Sequence, residues 1–507
     1  MKIFTSAQRK IIDTYTIENE PVSPLDLMER AAGKCSVWLM RNFNREQRFL
    51  IFVGFGNNGG DGLAIARHLA YQEYKVEVYL IHMSRHFSPE AEENFLKLKM
   101  QKKAKITEVY NSKNFPQIDS DDIVVDALFG SGLTKPLIGF PAEVIEYLNH
   151  CKGIKIAIDI PSGLFGEENP ESEQIIAFKA DYTLTFQFPF LSSLFQEGYN
   201  YTGNWHVLPI GLHKKIIDEL PSLYHLTESE DIIIKPRSRF SHKGSYGHAL
   251  LIAGSYGMTG ACVLATRACL RTGVGLITAH IPRSSYVIMQ TAIPEAIVSL
   301  DKSEQHFSFL PDISRFNAIA VGPGLGSDDE TKHAFKLLLD SSQSPLVIDA
   351  DALNILSQNK EWLELLPKES ILTPHPKEFE RLAGACESDY ERLQKQCKFS
   401  TKYGVYVVLK KAFTSISSPD GSCWFNPTGN PGMGTAGSGD VLTGIILSLL
   451  AQGYKPQQAA IIGVYIHGLA GDIVAGQLGQ EALIASDIIE NIGMAFNKIM
   501  KHESDEN

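Results

Sequence analysis

The sequence predicts two α/β domains in tandem, each a largely parallel sheet with helices over both faces. Three observations predict it. Short, uninterrupted apolar runs alternate with segments of helical periodicity, as strands buried on both faces require. Several of these runs end in glycine or in a single acid, where open parallel sheets place their ligands. The alternation loosens between 213 and 236, where Pro221, Glu228, Glu230, Asp231 and Pro236 gather, and then restarts. A linker near 215–230 therefore separates a domain over 1–215 from a domain over 225–500.

Residues 5–42 read as helical, with apolar spacing clearest over Leu25–Ala32. The run Phe49–Val53 is a buried strand that ends in glycine and feeds a helix through Leu63–Tyr71. Val76–Ile81 follows as a strand and Glu90–Lys103 as a helix. Ile123–Asp126 is a short buried strand, 141–150 a helix and Ile154–Ile160 another strand, with further short strands over 181–210. The second pattern opens at His248–Gly254. It continues through Ala318–Val321, Pro345–Ile348, Ile371-Leu372 and Val405–Leu409, and closes with a helix-rich block over 439–500.

Composition excludes several classes. The chain of 507 residues is 44% hydrophobic and 21% charged, enough to bury large cores. A net charge of −11 gives no general footprint for nucleic acid. The seven cysteines are scattered with no C-x-x-C pair, which suits a reducing compartment and offers no zinc signature. The N-terminus lacks the apolar core of a signal peptide, and no uninterrupted apolar run is long enough to cross a membrane. The expectation is a cytoplasmic protein with small-molecule nucleotide partners, and with neither nucleic acid nor membrane.

Two constellations carry chemistry. In the first domain, Gly54–Gly62 joins a strand to a helix and contains G-x-G-x-x-G at Gly54, Gly56 and Gly59. Backbone N–H groups at such a helix start can hold phosphate. Asn57, Asn58 and Asp61 put polar side chains into the loop itself, unlike an ordinary dinucleotide dehydrogenase. Two more strand ends carry acids, Asp126 and Asp159. Each motif alone is also what a tight turn or a helix cap looks like, whereas three on one sheet point to a site. In the second domain, Gly429–Asp440 sets small residues before an apolar helix, Val441–Leu450. Their backbone can approach a phosphate closely. Asp440 then sits where an anion binds, a costly place for a carboxylate unless it takes a proton from something nearby. No G-x-x-x-x-G-K-S/T occurs, so the domain is not a P-loop NTPase.

The ordered motifs G-x-G-N-N-G-G-D-G, D-A-L-F-G-S-G-L and D-I-P-S-G resemble the epimerase domain of the NAD(P)H-hydrate repair enzymes over about 1–215. The resemblance implies a Rossmann-like three-layer domain that interconverts the R and S epimers of hydrated NADH or NADPH. It implies that Asn57, Asn58, Gly59, Gly60 and Asp61 line the substrate together with Gly130, Ser131, Gly132, Leu133, Thr134, Lys135 and Pro136. It further implies that Asp159 contacts the hydrated ring as acid/base, and that Asn58, Asp126 and Ser162 give oxygens to potassium. Such domains often carry a lysine shortly after T-F-x-x-P, whereas Thr185–Pro189 is followed here by Phe190.

The G-x-G-D element resembles the ribokinase-like superfamily. With Lys243–His248, Gly322–Gly326, Asp349–Asn354 and Thr373–Pro376, it resembles the ADP/ATP-dependent NAD(P)H-hydrate dehydratases over about 235–500. That implies a ribokinase-like α/β domain in which Asp440 is the catalytic base. Ala261, Gly326, His375 and Asp440 would hold the hydrate. Lys410, Lys411, Ala412, Phe413 and Thr414 would hold ADP or ATP with Gly437, Ser438 and Gly439, accompanied by magnesium. Lys411 stands where the family usually has glycine. His375 between prolines also reads as a rigid cap, and Asp349 and Asp351 as helix caps. The resemblance implies a homo-oligomer. Two alternatives stay open: a small-molecule kinase of the same superfamily, told apart by a stable phosphate ester product, and an N-terminal domain that only binds.

Overall fold

The computed structural model describes residues 1–84, 86–169 and 175–505, with side chains through 501. The chain divides into Lys2–Ser222 with Glu387–Arg392, and Leu223–Cys386 with Leu393–Asn507 and Met1.

The first unit is a three-layer α/β domain. Its strands are β1 (Arg48–Val53), β2 (Lys75–Ile81), β3 (Lys105–Val109), β4 (Ile123–Ala127), β5 (Ile154–Ile158), β6 (Tyr182–Phe186) and β7 (Asn204–Leu208). They form one sheet in the order β3-β2-β1-β4-β5-β6-β7, every neighbour parallel. The chain winds outward from β1 to β3 and then returns to β4. A crevice therefore opens where β1 and β4 end, the place at which such sheets bind ligands.

Residues 5–42 form two helices, α1 (Ser6–Asn19) and α2 (Pro24–Asn42), each started by its own capping box, Thr5 with Gln8 and Ser23 with Asp26. Helix α3 (Asn57–Tyr71) follows β1, α4 (Pro89–Gln101) follows β2, and α5 (Phe140–His150) follows β4. Leu39, Leu63, Leu69 and Phe95 pack on one sheet face, and Val144, Ile145 and Leu148 on the other. The strand β3 was not expected, because its lysine and glutamate interrupt the apolar run at an edge position. The stretch 181–210 holds two strands separated by α6 (Gln196–Thr202).

The predicted linker near 215–230 is itself structured. It carries α7 (Lys214–Glu219) and β8 (Tyr224–Leu226), and β8 belongs to the second unit's sheet. The other strands of that unit are β9 (His248–Ile252), β10 (Leu276–Ile281), β11 (Ile297–Leu300), β12 (Ala318–Val321), β13 (Leu346–Ile348), β14 (Ile371–Leu372), β15 (Tyr406–Leu409), β16 (Ser415–Ser417) and β17 (Cys423–Phe425). Their order is β8-β17-β16-β15-β14-β13-β12-β9-β10-β11. Only β15–β16 and β16–β17 run antiparallel within it.

One face of this sheet carries α8 (Thr259–Arg271), α14 (Ser438–Ala451), α15 (Pro456–Leu478) and α16 (Ala485–Asp505). The other carries α10 (Asp329–Ser341), α11 (Ala350–Gln358) and α12 (Pro376–Ala383). Helix α15 is long and apolar enough to cross a membrane by length and composition alone, with a mean hydropathy of 1.5. Counting uninterrupted apolar runs passed it over. About two thirds of that window is buried inside the domain's own core, as expected of a central helix.

The β1–α3 junction shows why its glycines are required. A Cβ on Gly59 would stand 2.0 Å from the Gly54 carbonyl oxygen, and one on Gly54 would stand 2.3 Å from the Leu128 carbonyl oxygen. Strand, loop and helix thus meet backbone on backbone. Gly59→Ala should destabilise the first unit by about 1–3 kcal/mol. A urea titration followed by circular dichroism would show this as a lowered midpoint for one transition. An unchanged midpoint would mean that the junction can yield.

Candidate active sites

In the first unit, the sheet topology brings three strand ends together. Asp126 closes β4, and its carboxylate is fully buried. Its Oδ1 accepts from Ser162 Oγ at 2.6 Å and from Leu128 N at 3.2 Å, and its Oδ2 accepts from Ser162 N at 2.8 Å. Ser162 Oγ in turn accepts from Phe129 N at 2.8 Å. Asn58, in the first turn of α3, donates from Nδ2 to the Phe129 carbonyl at 2.9 Å. Its Oδ1 is buried with no hydrogen-bond partner. Burial pushes the Asp126 carboxyl up to about 6 against those hydrogen bonds. The predicted set Asn58, Asp126 and Ser162 is therefore one oxygen-lined knot with a single carboxylate. Among the described residues no cluster of three or more His, Cys, Asp or Glu side chains is built to hold a metal. An orphaned amide oxygen beside one carboxylate fits a weakly charged, oxygen-seeking cation such as potassium, and does not fit a zinc-type site.

Asp159 follows β5 with φ of 64°, a left-handed conformation uncommon for a non-glycine residue. Its Oδ1 is 3.5 Å from Phe186 N, and its Oδ2 lies 3.9 Å from where a Cβ on Gly130 would stand. Asp61 lies buried in α3. Burial first, then the charges of Asp159 and Asp13, hold its carboxyl well above the usual range. Asp159 is raised too, by burial, with Arg9 opposing the shift. The structure thus unites Asn58, Asp61, Asp126, Gly130, Asp159 and Ser162. Asn57 is exposed at the mouth, and Gly59 and Gly60 are buried in the junction. Thr134, Lys135 and Pro136 run on as exposed loop, and among the described residues no hydrogen bond ties them to the cluster. Arg9 and Asp13, both on α1, were not found from the sequence. An arginine and an aspartate in an N-terminal helix read as solvated.

In the second unit, α14 begins at Ser438, with Gly437 as its N-cap at φ of 88°. Only glycine holds that conformation without strain. In the first turn Ser438 N donates to the Thr435 carbonyl at 3.4 Å, and Gly439 N and Asp440 N have no hydrogen-bond partner among the described residues, which suits an anion site. Asp440 lies in that turn. Lys410, just after β15, donates from Nζ to Asp349 Oδ1 at 2.9 Å, and Thr443 Oγ1 donates to Asp349 Oδ2 at 2.7 Å. A Cβ on Gly439 would lie 3.2 Å from Lys410 Nζ. Burial pushes the Asp440 carboxyl up to about 6. Asp349 and Asp351 add to the shift, and Lys410 opposes it.

The remaining predicted residues surround this core. Gly326 N donates to Asp351 Oδ2 at 2.9 Å. A Cβ on Gly324 would stand 3.1 Å from Ala261 Cβ, so the 322–326 loop lies on the start of α8. His375 does cap α12. Its Nδ1 accepts from Lys377 N at 3.1 Å and Glu378 N at 3.4 Å, and its imidazole also feels the charges of Lys410 and Asp349. Asp349 and Asp351 make site contacts: Asp349 gives no cap hydrogen bond to α11. Of 410–414, Lys410 reaches the cluster. Thr414 Oγ1 donates to the Lys411 carbonyl at 3.1 Å to close the following turn, and Ala412 is exposed. Sequence reasoning missed Thr443, which lies one turn along α14 on the Asp349 side. It also missed His467, whose Nε2 is 3.3 Å from Ser438 Oγ and whose burial lowers it to about 4.

Comparison with known proteins follows the same division. Residues 249–493 match the family described as NAD(P)H-hydrate dehydratase, and residues 24–191 match the family described as YjeF-related protein N-terminus. The chain is 36% identical over 513 residues to a bifunctional NAD(P)H-hydrate repair enzyme of Moorella thermoacetica, covering 97% of this chain and 96% of that protein. It is 31% identical to the Escherichia coli protein of the same description, over 93% of this chain and 89% of that one. Among solved structures, the ADP/ATP-dependent NAD(P)H-hydrate dehydratase of Bacillus subtilis, crystallised with ATP and Mg2+, is 29% identical. It covers 54% of this chain and 98% of that one, with a TM-score of 0.48.

Proposed function

Because the chain belongs to the family of bifunctional NAD(P)H-hydrate repair enzymes, we propose that it epimerises hydrated NADH and NADPH and dehydrates the S epimer with ADP or ATP. The observation that carries this is Asp440, a carboxylate placed in an anion-binding helix start and tuned to about 6 beside Lys410 and Asp349. A general base works best when its pKa lies near the working pH.

In the dehydratase unit, Asp440 takes the proton of the C6 hydroxyl, and that oxygen attacks the terminal phosphorus of ATP or ADP. ADP or AMP leaves. The C6 phosphate ester then loses inorganic phosphate and the C5 proton, which restores the ring double bond and yields NADH or NADPH. The N–H groups at Gly437–Gly439 face the charge that develops on the phosphoryl group, and Lys410 keeps Asp349 paired beside it. Ala261, Gly326 and His375 border the place of the hydrate, and the turn through Lys411, Phe413 and Thr414 borders the nucleotide. Magnesium, when bound, neutralises phosphate charge. With no cluster of three acids among the described residues, it would rest largely on the nucleotide's own oxygens near Asp349 and Asp351.

In the epimerase unit, the C6 hydroxyl leaves with a proton and water returns to the opposite face with loss of one. Asp159 takes the proton of the returning water, and Asp61, whose carboxyl burial holds well above the usual range, is the acid at hand for the departing hydroxyl. Asn58, Asp126 and Ser162 would hold potassium, whose charge supports the polar ring substituents at that end of the crevice. A cytoplasmic setting is part of this reading. It agrees with seven free cysteines, four of them buried.

The test is recovery of near-ultraviolet dihydronicotinamide absorbance from a mixture of hydrated NADH epimers, with protein, magnesium and either nucleotide. Recovery that depends on nucleotide and releases inorganic phosphate is expected. Recovery should run past the S fraction faster than the spontaneous rate, and should slow without potassium. A stable phosphate ester instead would replace the dehydratase reading with a kinase.

A further inference from the structure

The first unit holds a buried cation that the chemistry above does not use. The capping box at Thr5 starts α1 at Ser6, so its inward stripe is Arg9, Ile12 and Thr16. Arg9 is buried where an arginine is rarely found. Its Nη2 donates to the carbonyls of Phe188 at 2.6 Å and Pro189 at 2.7 Å. Its Nη1 and Nε make longer bonds to the carbonyls of Phe186 and Phe4, both at 3.4 Å. The guanidinium lies over the ring of Phe190, 3.6 Å from its centre. Among the described residues no carboxylate is a hydrogen-bond partner of Arg9, and the charged groups that face it are Asp159, Asp13 and Glu167. A desolvated cation held only by neutral groups is expensive, and its burial lowers it to about 10.

The place of this charge gives it a use. The segment that clamps Arg9 is the one that leaves β6, and the Phe186 N–H of that segment faces Asp159 Oδ1. Asp159 and Arg9 therefore share a rigid frame. We propose that Arg9, seated on Phe190 and fixed by the Phe188 and Pro189 carbonyls, is the positioning cation of the epimerase site, keeping Asp159 as the carboxylate that handles the substrate proton. The proposal rests on the epimerase reading above. Burial raises the Asp159 carboxyl, and the Arg9 charge is the first influence that lowers it, ahead of the Phe186 N–H. Removing the fixed cation therefore shifts Asp159 toward its protonated form. Position 190 touches the same spot, so a lysine there could deliver an ammonium to the place the guanidinium now fills.

The experiment uses the full chain, so dehydration of pure S-hydrate reports on folding independently. Epimerisation is measured as consumption of R-hydrate across pH, in wild type, Arg9→Met and the double variant Arg9→Met/Phe190→Lys. Arg9→Met is expected to lose about tenfold or more in epimerase kcat/KM at neutral pH. The acid limb of its profile should move up by about 1–3 pH units, with S-dehydration unchanged. The double variant should recover rate and move the limb back. An Arg9→Met profile like wild type overturns the proposal. So does a loss with no shift of the limb and no rescue, which is what a purely structural clamp gives. Should Arg9→Met fail to fold, Arg9→Lys decides: a profile near wild type supports the cation, and an upward shift overturns it. Wild type that does not epimerise would sink the epimerase reading, and this proposal with it.

Discussion

Asp440→Asn should lower dehydratase turnover by about 10²–10⁴-fold while leaving the nucleotide KM unchanged or smaller. The two effects separate because the carboxylate serves the chemistry and opposes the binding. It lies in the helix turn proposed to receive phosphate, and Asp349 and Asp351 already repel it. A neutral amide keeps the shape, relieves that repulsion and cannot take the hydroxyl proton. The wild-type pH profile carries the same signature. The base must be ionised, so kcat/KM should rise through about pH 6 and level off above it, the value to which the folded site raises this group. The stability sign follows from the same shift. A carboxyl harder to ionise folded than unfolded favours the fold below about pH 4, and loses that contribution as pH rises through 6. At neutral pH the asparagine variant should melt no lower than wild type. Stopped nucleotide-dependent phosphate release at unchanged melting temperature would support the assignment. Undiminished turnover would remove Asp440 from the mechanism.

The second large effect is on the other unit. Asp159→Asn should reduce epimerisation by about 10²–10⁴-fold, with dehydration of S-hydrate intact. Asparagine is the suitable probe, because position 159 sits at φ of 64° and asparagine tolerates that region well. Alanine there would add about 1–2 kcal/mol of backbone strain and confuse the result. On a mixed-epimer substrate the variant should show a rapid phase equal to the S fraction, then a slow phase at the spontaneous rate. A single rapid phase to completion would show that another group moves the proton.

Much of this was legible in the sequence, for a physical reason. Where a parallel strand turns into a helix against a ligand, few residue types fit, so Gly54–Gly62 and Gly437–Asp440 announce both the turn and the chemistry. The unread parts depend on what folding brings from a distance. Arg9 and Asp13 take their meaning from Asp159 and Phe190, far along the chain, and in isolation they belong to a plain amphipathic helix. The Lys410–Asp349–Thr443 set joins three elements whose spacing carries no periodic signal. His375 was readable both ways: it caps α12, and it also lies within reach of the charges of Lys410 and Asp349. The strands β3, β8, β10, β11, β16 and β17 escaped, because a very short strand, or one broken by polar residues as β10 is by Thr278 and His280, shows no uninterrupted apolar run.

The pairing of β8 with β17 sets a timetable for synthesis. Tyr224–Leu226 is made first and waits for Cys423–Phe425, roughly 200 residues later. At about 5–20 residues per second the wait is roughly 10–40 s. Through that interval the nascent second unit has an open sheet edge, and its helix α8 has none of α14, α15 and α16, which are made later, to pack against. The sheet of the first unit is complete by residue 208 and can already have formed on the ribosome. Birth of this protein is therefore staggered, and dehydration of the hydrate becomes available well after the sheet of the domain that feeds it.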